Sequence, residues 1–215
     1  MIYLTSDLHG DSNFRGLTEY LKIANDGDLL IILGDVGLNF AERDDYLEFT
    51  EFFLSIKKNI AFIDGNHENF PYLKSFSEEE WCGGRVHRLT SNIVHLMRGN
   101  IYTIENKTFF TFGGCKSGAK WAQMGLWYPD EEASEDEIVL AYKNLKSANN
   151  KVDYVLLHKY ETDPSSPSLS RPLFELGEYI QKNVEYRHLY YGHNHFYRAT
   201  NEKLTVVYDG LIEIK

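Results

Sequence analysis

The run LLIIL at residues 29–33 is apolar at every position, so the strand it forms must be covered on both faces. That demand constrains everything around it. A shorter run, IYLT, fills residues 2–5, and NIAFID fills 59–64. Between these runs lie two stretches with helical spacing. One covers 13–25 through Leu17, Tyr20, Leu21 and Ile23, and the other covers 41–57 through Tyr46, Phe49, Phe53 and Ile56. Strands separated by helices of this length build βαβ units and a parallel sheet.

The second half is patterned differently. IYTI, ENK and TFFTF over 101–112 predict an antiparallel hairpin turning at Asn106. A Gly-rich, aromatic and then acidic stretch follows, GGCKSGAKWAQMGLWYPDEE at 113–132. Ser134 and Glu137 have the spacing of a capping box, which predicts a helix from about 135 to 148. VDYVLL at 152–157 reads as another buried strand. A Pro/Ser-rich loop at 163–172, a helix near 173–183, the strand HLYYG and three tail strands in FYRAT, KLTVVYDG and LIEIK complete the chain. The acidic residues 130–132 and 135–137 read as a solvated loop and a first helical turn. Arg85, His87, Arg88, His95 and Arg98 read as a mildly basic, solvated stretch.

Composition narrows the class. At 215 residues, 43% hydrophobic and 25% charged, the chain is expected to fold as one domain spanning 1–215. A net charge of −10 argues against a nucleic-acid partner, because phosphate backbones are bound by neutralising them with Lys and Arg. Two cysteines, Cys82 and Cys115, are too few for a disulfide framework and are expected to be reduced thiols. No apolar run reaches the roughly 18 residues a membrane span needs. The start, MIYLTSDLHG, lacks the features of a signal peptide. The expected location is the cytoplasm, with no membrane partner.

The strand ends carry the chemistry. IYLT runs into Ser6-Asp7-Leu8-His9, LLIIL into Gly34-Asp35, NIAFI into Gly65-Asn66-His67-Glu68, VDYVLL into His158, and HLYY into Gly192-His193-Asn194-His195. Ligands of open α/β sheets bind beyond the carboxyl ends of strands, so these residues converge. Asp, Asn and imidazole without thiolate suit manganese, iron or zinc in a mixed nitrogen and oxygen shell. Seven ligands are too many for one tetrahedral ion and suit two ions sharing a carboxylate. Such a pair, about 3.5–4 Å apart, clamps an in-line displacement at phosphorus. The glycines before Asp35, Asn66 and His193 are expected to turn the backbone sharply and keep the ion side open.

Taken in order, Asp7-x-His9, Gly34-Asp35, Gly65-Asn66-His67-Glu68, His158 and Gly192-His193-x-His195 resemble the five signature blocks of the calcineurin-like metallophosphoesterases, in a small bacterial and phage-related form. The resemblance implies a four-layer α/β/β/α sandwich of two mixed sheets flanked by helices. It implies two divalent ions, manganese first, with iron or zinc as alternatives. Asp7, His9, Asp35 and His195 would hold one ion, and Asp35 would bridge to a second held by Asn66, His158 and His193. His67 would stay off the metals and protonate the leaving oxygen, with a metal-activated hydroxide as nucleophile.

The run GDVGLNF departs from the protein serine/threonine phosphatase branch, where a second Asp and an Arg follow GD closely. The phosphoryl-gripping arginine is missing, and so is the usual carboxylate partner of the catalytic histidine, leaving Glu68 or Asp64 to orient His67. The segment 113–132 is similar to one that overhangs the metals in small members, where Lys116, Lys120 or Trp127 would touch substrate. A surface loop with one aromatic anchored in the core is the alternative. The expected reaction is hydrolysis of a phosphomonoester on a small compound or a phosphoprotein. A phosphodiesterase or nuclease using the same site is the alternative, and a non-catalytic scaffold, which should show a broken ligand set, is a third reading.

Overall fold

The computed structural model describes residues 1–161, 165, 169–196 and 198–214. Positions 163, 164 and 166–168 of the Pro/Ser-rich loop, and 197 within FYRAT, lie outside the described residues.

The first half forms the expected βαβ run: β1 (Ile2–Thr5), α1 (Arg15–Ile23), β2 (Leu29–Leu33), α2 (Asp44–Ser55), β3 (Asn59–Ile63) and a short α3 (Phe70–Lys74). β1 and β2 pair in parallel with Ile2 opposite Leu29, and β2 and β3 with Leu29 opposite Asn59. Three strands follow that hydrophobic patterning does not reveal: β4 (Ser77–Trp81), β5 (Gly84–Arg88) and β6 (Ile93–Leu96).

Next come β7 (Ile101–Ile104) and β8 (Lys107–Phe112), the predicted hairpin. Its turn residues Glu105 and Asn106 have φ of 48° and 60°, the left-handed pair that a two-residue hairpin turn demands. After α4 (Ala119–Gln123), α5 (Glu135–Ser147) opens on a complete capping box between Ser134 and Glu137. An N-cap of this kind contributes about 1 kcal/mol. The chain ends with β9 (Tyr154–Leu157), α6 (Arg171–Asn183), β10 (His188–Tyr191), β11 (Arg198–Asn201), β12 (Leu204–Val206) and β13 (Ile212–Ile214).

Two mixed sheets result, in the orders β13-β1-β2-β3-β6-β5-β4 and β11-β12-β10-β9-β8-β7. Alternation within single strands explains the layers. Ile2, Leu4, Leu29, Ile31 and Leu33 point between the sheets, where Phe109, Tyr154 and Leu156 of the second sheet meet them. Tyr3, Leu30 and Ile32 point outward onto Leu17 and Tyr20 of α1 and Phe49 and Phe53 of α2. On the far side, Phe110, Phe112, Val155 and Leu157 pack on Ala141 and Leu145 of α5 and Leu176 and Ile180 of α6. The order is therefore α/β/β/α, as the resemblance implies. Each fully buried Leu, Ile or Phe contributes roughly 1.5–3 kcal/mol of transfer free energy against chain entropy.

The basic stretch is solvated only in part: Arg85 is exposed and Arg88 half-buried, but the other three residues turn inward. His87 and His95 are buried on β5 and β6, with their Nδ1 atoms 2.9 Å apart, and His95 Nε2 lies 3.2 Å from Asp64. Arg98 is also buried, donating to the Asp64 carboxylate from Nε at 2.8 Å. Its other donors reach the carbonyls of Asp130 at 2.8 Å and of Glu131 and Glu132 at 3.3 Å. Nor is the acidic stretch wholly solvated, because Glu131 is fully buried. In both cases a buried charge is accepted because it is paired or hydrogen-bonded.

Candidate metal centre

The strand ends meet at one edge of the sandwich. After β1 and β2 the chain continues as a short ladder: the Asp7 N–H donates to the Gly34 carbonyl, His9 to Asp35 and Gly10 to Val36, at 3.1, 2.8 and 3.0 Å. This ladder is left-handed rather than extended. Asp7, His9 and Asp35 have φ of 62°, 49° and 52°, and across the cleft His193 and His195 have 67° and 51°. Asp and His tolerate this region better than most residues, yet each such position costs on the order of 1 kcal/mol.

The glycines do two different jobs. Gly34 has φ of 89° and turns the chain, as expected. Gly65 and Gly192 do not have positive φ; they admit close neighbours instead. A Cβ on Gly65 would run into the Asp35 carboxylate, and one on Gly192 into Ser6 Oγ and Asp7.

Two groups of donors lie side by side. In the first, one ligand atom each from Asp7, His9, Asp35 and His195 lies within 4.8 Å of the others. His9 and His195 face each other with Nε2 atoms 2.9 Å apart, His9 Nε2 lies 3.5 Å from Asp35 Oδ2, and His195 Nε2 lies 3.5 Å from Asp7 Oδ1. The second group brings together His158, His193 and Cys115, whose ligand atoms likewise lie within 4.8 Å of one another. Asn66 Oδ1 joins it, 3.2 Å from His158 Nε2 and 2.9 Å from Cys115 Sγ.

Asp35 stands between the groups, with Oδ2 toward His9 and Oδ1 3.5 Å from His158 Nε2. Oδ1 also accepts the His67 backbone N–H at 2.7 Å. All seven residues that the sequence nominated as ligands are thus at the two groups. The thiol was not nominated.

Surrounding atoms set the tautomers and charges. His158 Nδ1 lies 2.8 Å from the Leu33 carbonyl, which requires that nitrogen to carry a proton and makes Nε2 the atom that faces Asn66 and Asp35. Burial, helped by the nearby His158, pulls His193 down to about 3, so its imidazole is neutral. The hydrogen bond with Asp7 raises His195. Burial works to raise Asp35, but His158, His9 and His67 together hold its carboxyl below the usual range. Burial pushes the Cys115 thiol well up, and the Asp35 charge adds to it. Imidazoles, carboxylates and an amide oxygen form a donor set that fits divalent cations of the borderline type.

His67 sits at the rim. Its ring lies edge-on to Trp121, centroids 4.4 Å apart, with Phe40 and His9 each at 5.2 Å. Burial lowers its basicity against the opposing pull of Asp35. Neither expected orienting carboxylate serves it. Glu68 accepts the N–H groups of Val36 and Gly37 at 2.8 and 3.2 Å, and Asp64 is engaged with Arg98 and His95. Ring packing takes their place.

Segment 113–132 lies beside the centre. Lys116 Nζ lies 3.9 Å from Glu132, Lys120 is exposed on α4, and Trp127 is 37% exposed and hydrogen-bonds Glu131. The close contacts are Trp121 on His67 and Ser117 on Asn66. Asn66 Nδ2 donates to Ser117 Oγ at 3.0 Å, and Ser117 donates from Oγ and backbone N to Glu131 at 2.8 and 2.6 Å. This chain fixes the Asn66 amide with its oxygen toward His158. The capping and strand signals around these residues gave no hint of it; only the unexplained Ser and Glu in a Gly-rich loop could have.

A sequence model described as calcineurin-like phosphoesterase matches residues 1–197, which takes in every residue named above as a ligand. Among solved structures, the chain is similar to the crystal structure of TT1561 of Thermus thermophilus, at 13% identity and a TM-score of 0.52, over 97% of this chain and 88% of that one. That likeness supports the fold. Comparison with curated protein sequences finds no match.

Proposed function

Because the chain belongs to the calcineurin-like phosphoesterase family, a divalent-metal-dependent group of hydrolases, we propose that it hydrolyses a phosphomonoester at a dinuclear centre. The observation that carries this is the pair of donor groups sharing Asp35, with His67 at their common rim. Asp7, His9, Asp35 and His195 would hold one ion, and Asn66, His158 and His193, with Asp35 between, the other. When bound, the ions would supply an activated water and neutralise charge at phosphorus, with manganese, iron and zinc all compatible with these donors.

The protein's own groups do the rest. His67 holds a proton beside the centre for the departing oxygen, and Trp121, Phe40 and His9 keep its ring from rotating away. Ser117 and Glu131 keep the Asn66 oxygen facing inward. Lys116, Lys120 and Trp127 lie on the segment that borders the opening and would meet the substrate's outer part, a phosphorylated small molecule or protein. A net charge of −10 favours a compact monoester over a nucleic-acid chain. The location proposed for this activity is the cytoplasm. Among the described residues no helix is long and apolar enough to cross a membrane.

The test is hydrolysis of p-nitrophenyl phosphate and of its bis-ester after reconstitution with manganese, iron or zinc. Faster monoester turnover supports the proposal. A strong bis-ester preference replaces it with a phosphodiesterase, and no turnover on a broad ester panel with metal bound replaces it with a scaffold.

A further inference from the structure

We propose that Cys115 is a direct ligand of the ion held by Asn66, His158 and His193, a thiolate donor in a centre otherwise built from nitrogen and oxygen. The proposal rests on the dinuclear centre above and specifies its second half.

Three observations converge on the sulfur. It is fully buried, and it contacts two donors of that same group, Asn66 Oδ1 at 2.9 Å and His193 Nδ1 at 3.6 Å. These separations suit a shared cation. A thiolate at about 2.3 Å and an imidazole or oxygen at about 2.1 Å from one ion lie about 3.1 Å apart at a right angle and about 3.6 Å apart at the tetrahedral angle. The approach is also built by the backbone. Gly113 and Gly114 carry the chain from β8 past Asp64 and Arg98, where a Cβ would strike the Asp64 carboxylate at the first position and the Arg98 guanidinium at the second. Without those two glycines the sulfur could not reach the site.

Ligation is a simple exchange. The S–H bond breaks, sulfur keeps the electron pair and shares it with the cation, and the proton leaves to water, with no oxidant or reductant involved. A thiolate is a soft donor, so it biases this half of the centre toward zinc or iron and against manganese. The two halves would then differ in metal preference, since Asp7, His9, Asp35 and His195 include no sulfur.

Cobalt(II) tests this on the whole protein. Titration of wild-type protein should give visible d–d absorption at both sites and, with the Cys115 half filled, a near-ultraviolet thiolate-to-cobalt charge-transfer band. Cys115→Ala should keep the visible bands and lose the near-ultraviolet one, while Cys82→Ser keeps both. In competition, Cys115→Ala should lose roughly tenfold or more of its zinc-over-manganese preference at one site. Two bound cobalt ions with no charge-transfer band in wild-type protein would overturn the cysteine ligand and leave the dinuclear centre standing. A band that survives Cys115→Ala would overturn it equally. Failure to bind cobalt at all would overturn both.

Discussion

Arg98 offers the sharpest test of how the centre is supported. Its side chain is 4% exposed and that of its partner Asp64 is 2% exposed. The guanidinium joins the end of β3, just before Asn66, to the carbonyls of residues 130–132 beside the Ser117–Glu131 link. Replacing it by methionine keeps much of the volume and removes the charge. Asp64 would then be a buried carboxylate with only His95 beside it, and three carbonyls would lose a donor. Breaking a buried pair from one side costs about 3–5 kcal/mol.

Against a total stability of roughly 5–15 kcal/mol this is a large fraction. For a chain of this length it corresponds to a fall in Tm of roughly 6–20 °C. The assay is urea unfolding at pH 7 of wild-type protein, Arg98→Met, Asp64→Asn and the double variant. The double variant should recover much of the loss, because the orphaned charge is gone. A single variant within about 1 kcal/mol of wild type, or strict additivity in the cycle, would refute the claim that these two charges depend on each other.

Other outcomes follow from the centre. His67→Ala should leave the metal content intact and lower kcat by roughly 10²-fold or more, checked by elemental analysis beside ester hydrolysis. Asp35→Asn should weaken both ions, because the shared carboxylate loses its charge; titration showing two ions bound as in wild type would end the bridging role. Glu131 titrates at about 7, raised chiefly by burial against an ordinary value of 4.5. Since the folded form holds this proton more tightly than the unfolded chain, stability should fall as pH rises between those values. The loss is on the order of 2–3 kcal/mol, and Glu131→Gln should flatten that slope in denaturant titrations.

Much of this was legible before the fold was known, for identifiable reasons. Ile2–Thr5 and Leu29–Leu33 are runs that only a doubly covered strand can accommodate, and Asp7, His9 and Asp35 follow them closely, so the pattern located these donors directly. β4, by contrast, is SEEEW, a polar edge strand whose first four residues are exposed, and β5 and β6 each carry a histidine into the interior. Nothing local distinguishes a buried histidine from a solvated one. The partner that makes burial tolerable, Asp64, is 31 residues from His95 and 34 from Arg98. The same limit hid Cys115, which faces His193 across 78 positions, and Trp121, whose edge-on packing against His67 no spacing rule encodes. Short-range periodicity writes strands and helices; pairings of charge, sulfur and ring are written by the tertiary structure.

One consequence of the site's layout concerns its birth. His9 and His195, whose ring nitrogens face each other, are separated by 186 positions, and β1 is flanked by β13 from the opposite end of the chain. A growing polypeptide therefore cannot offer the first ion a finished cradle until residue 195 has emerged and folded back on the opening strand. That half of the centre is therefore completed only when His195 arrives, and any fragment that stops short of it lacks one of the four donors.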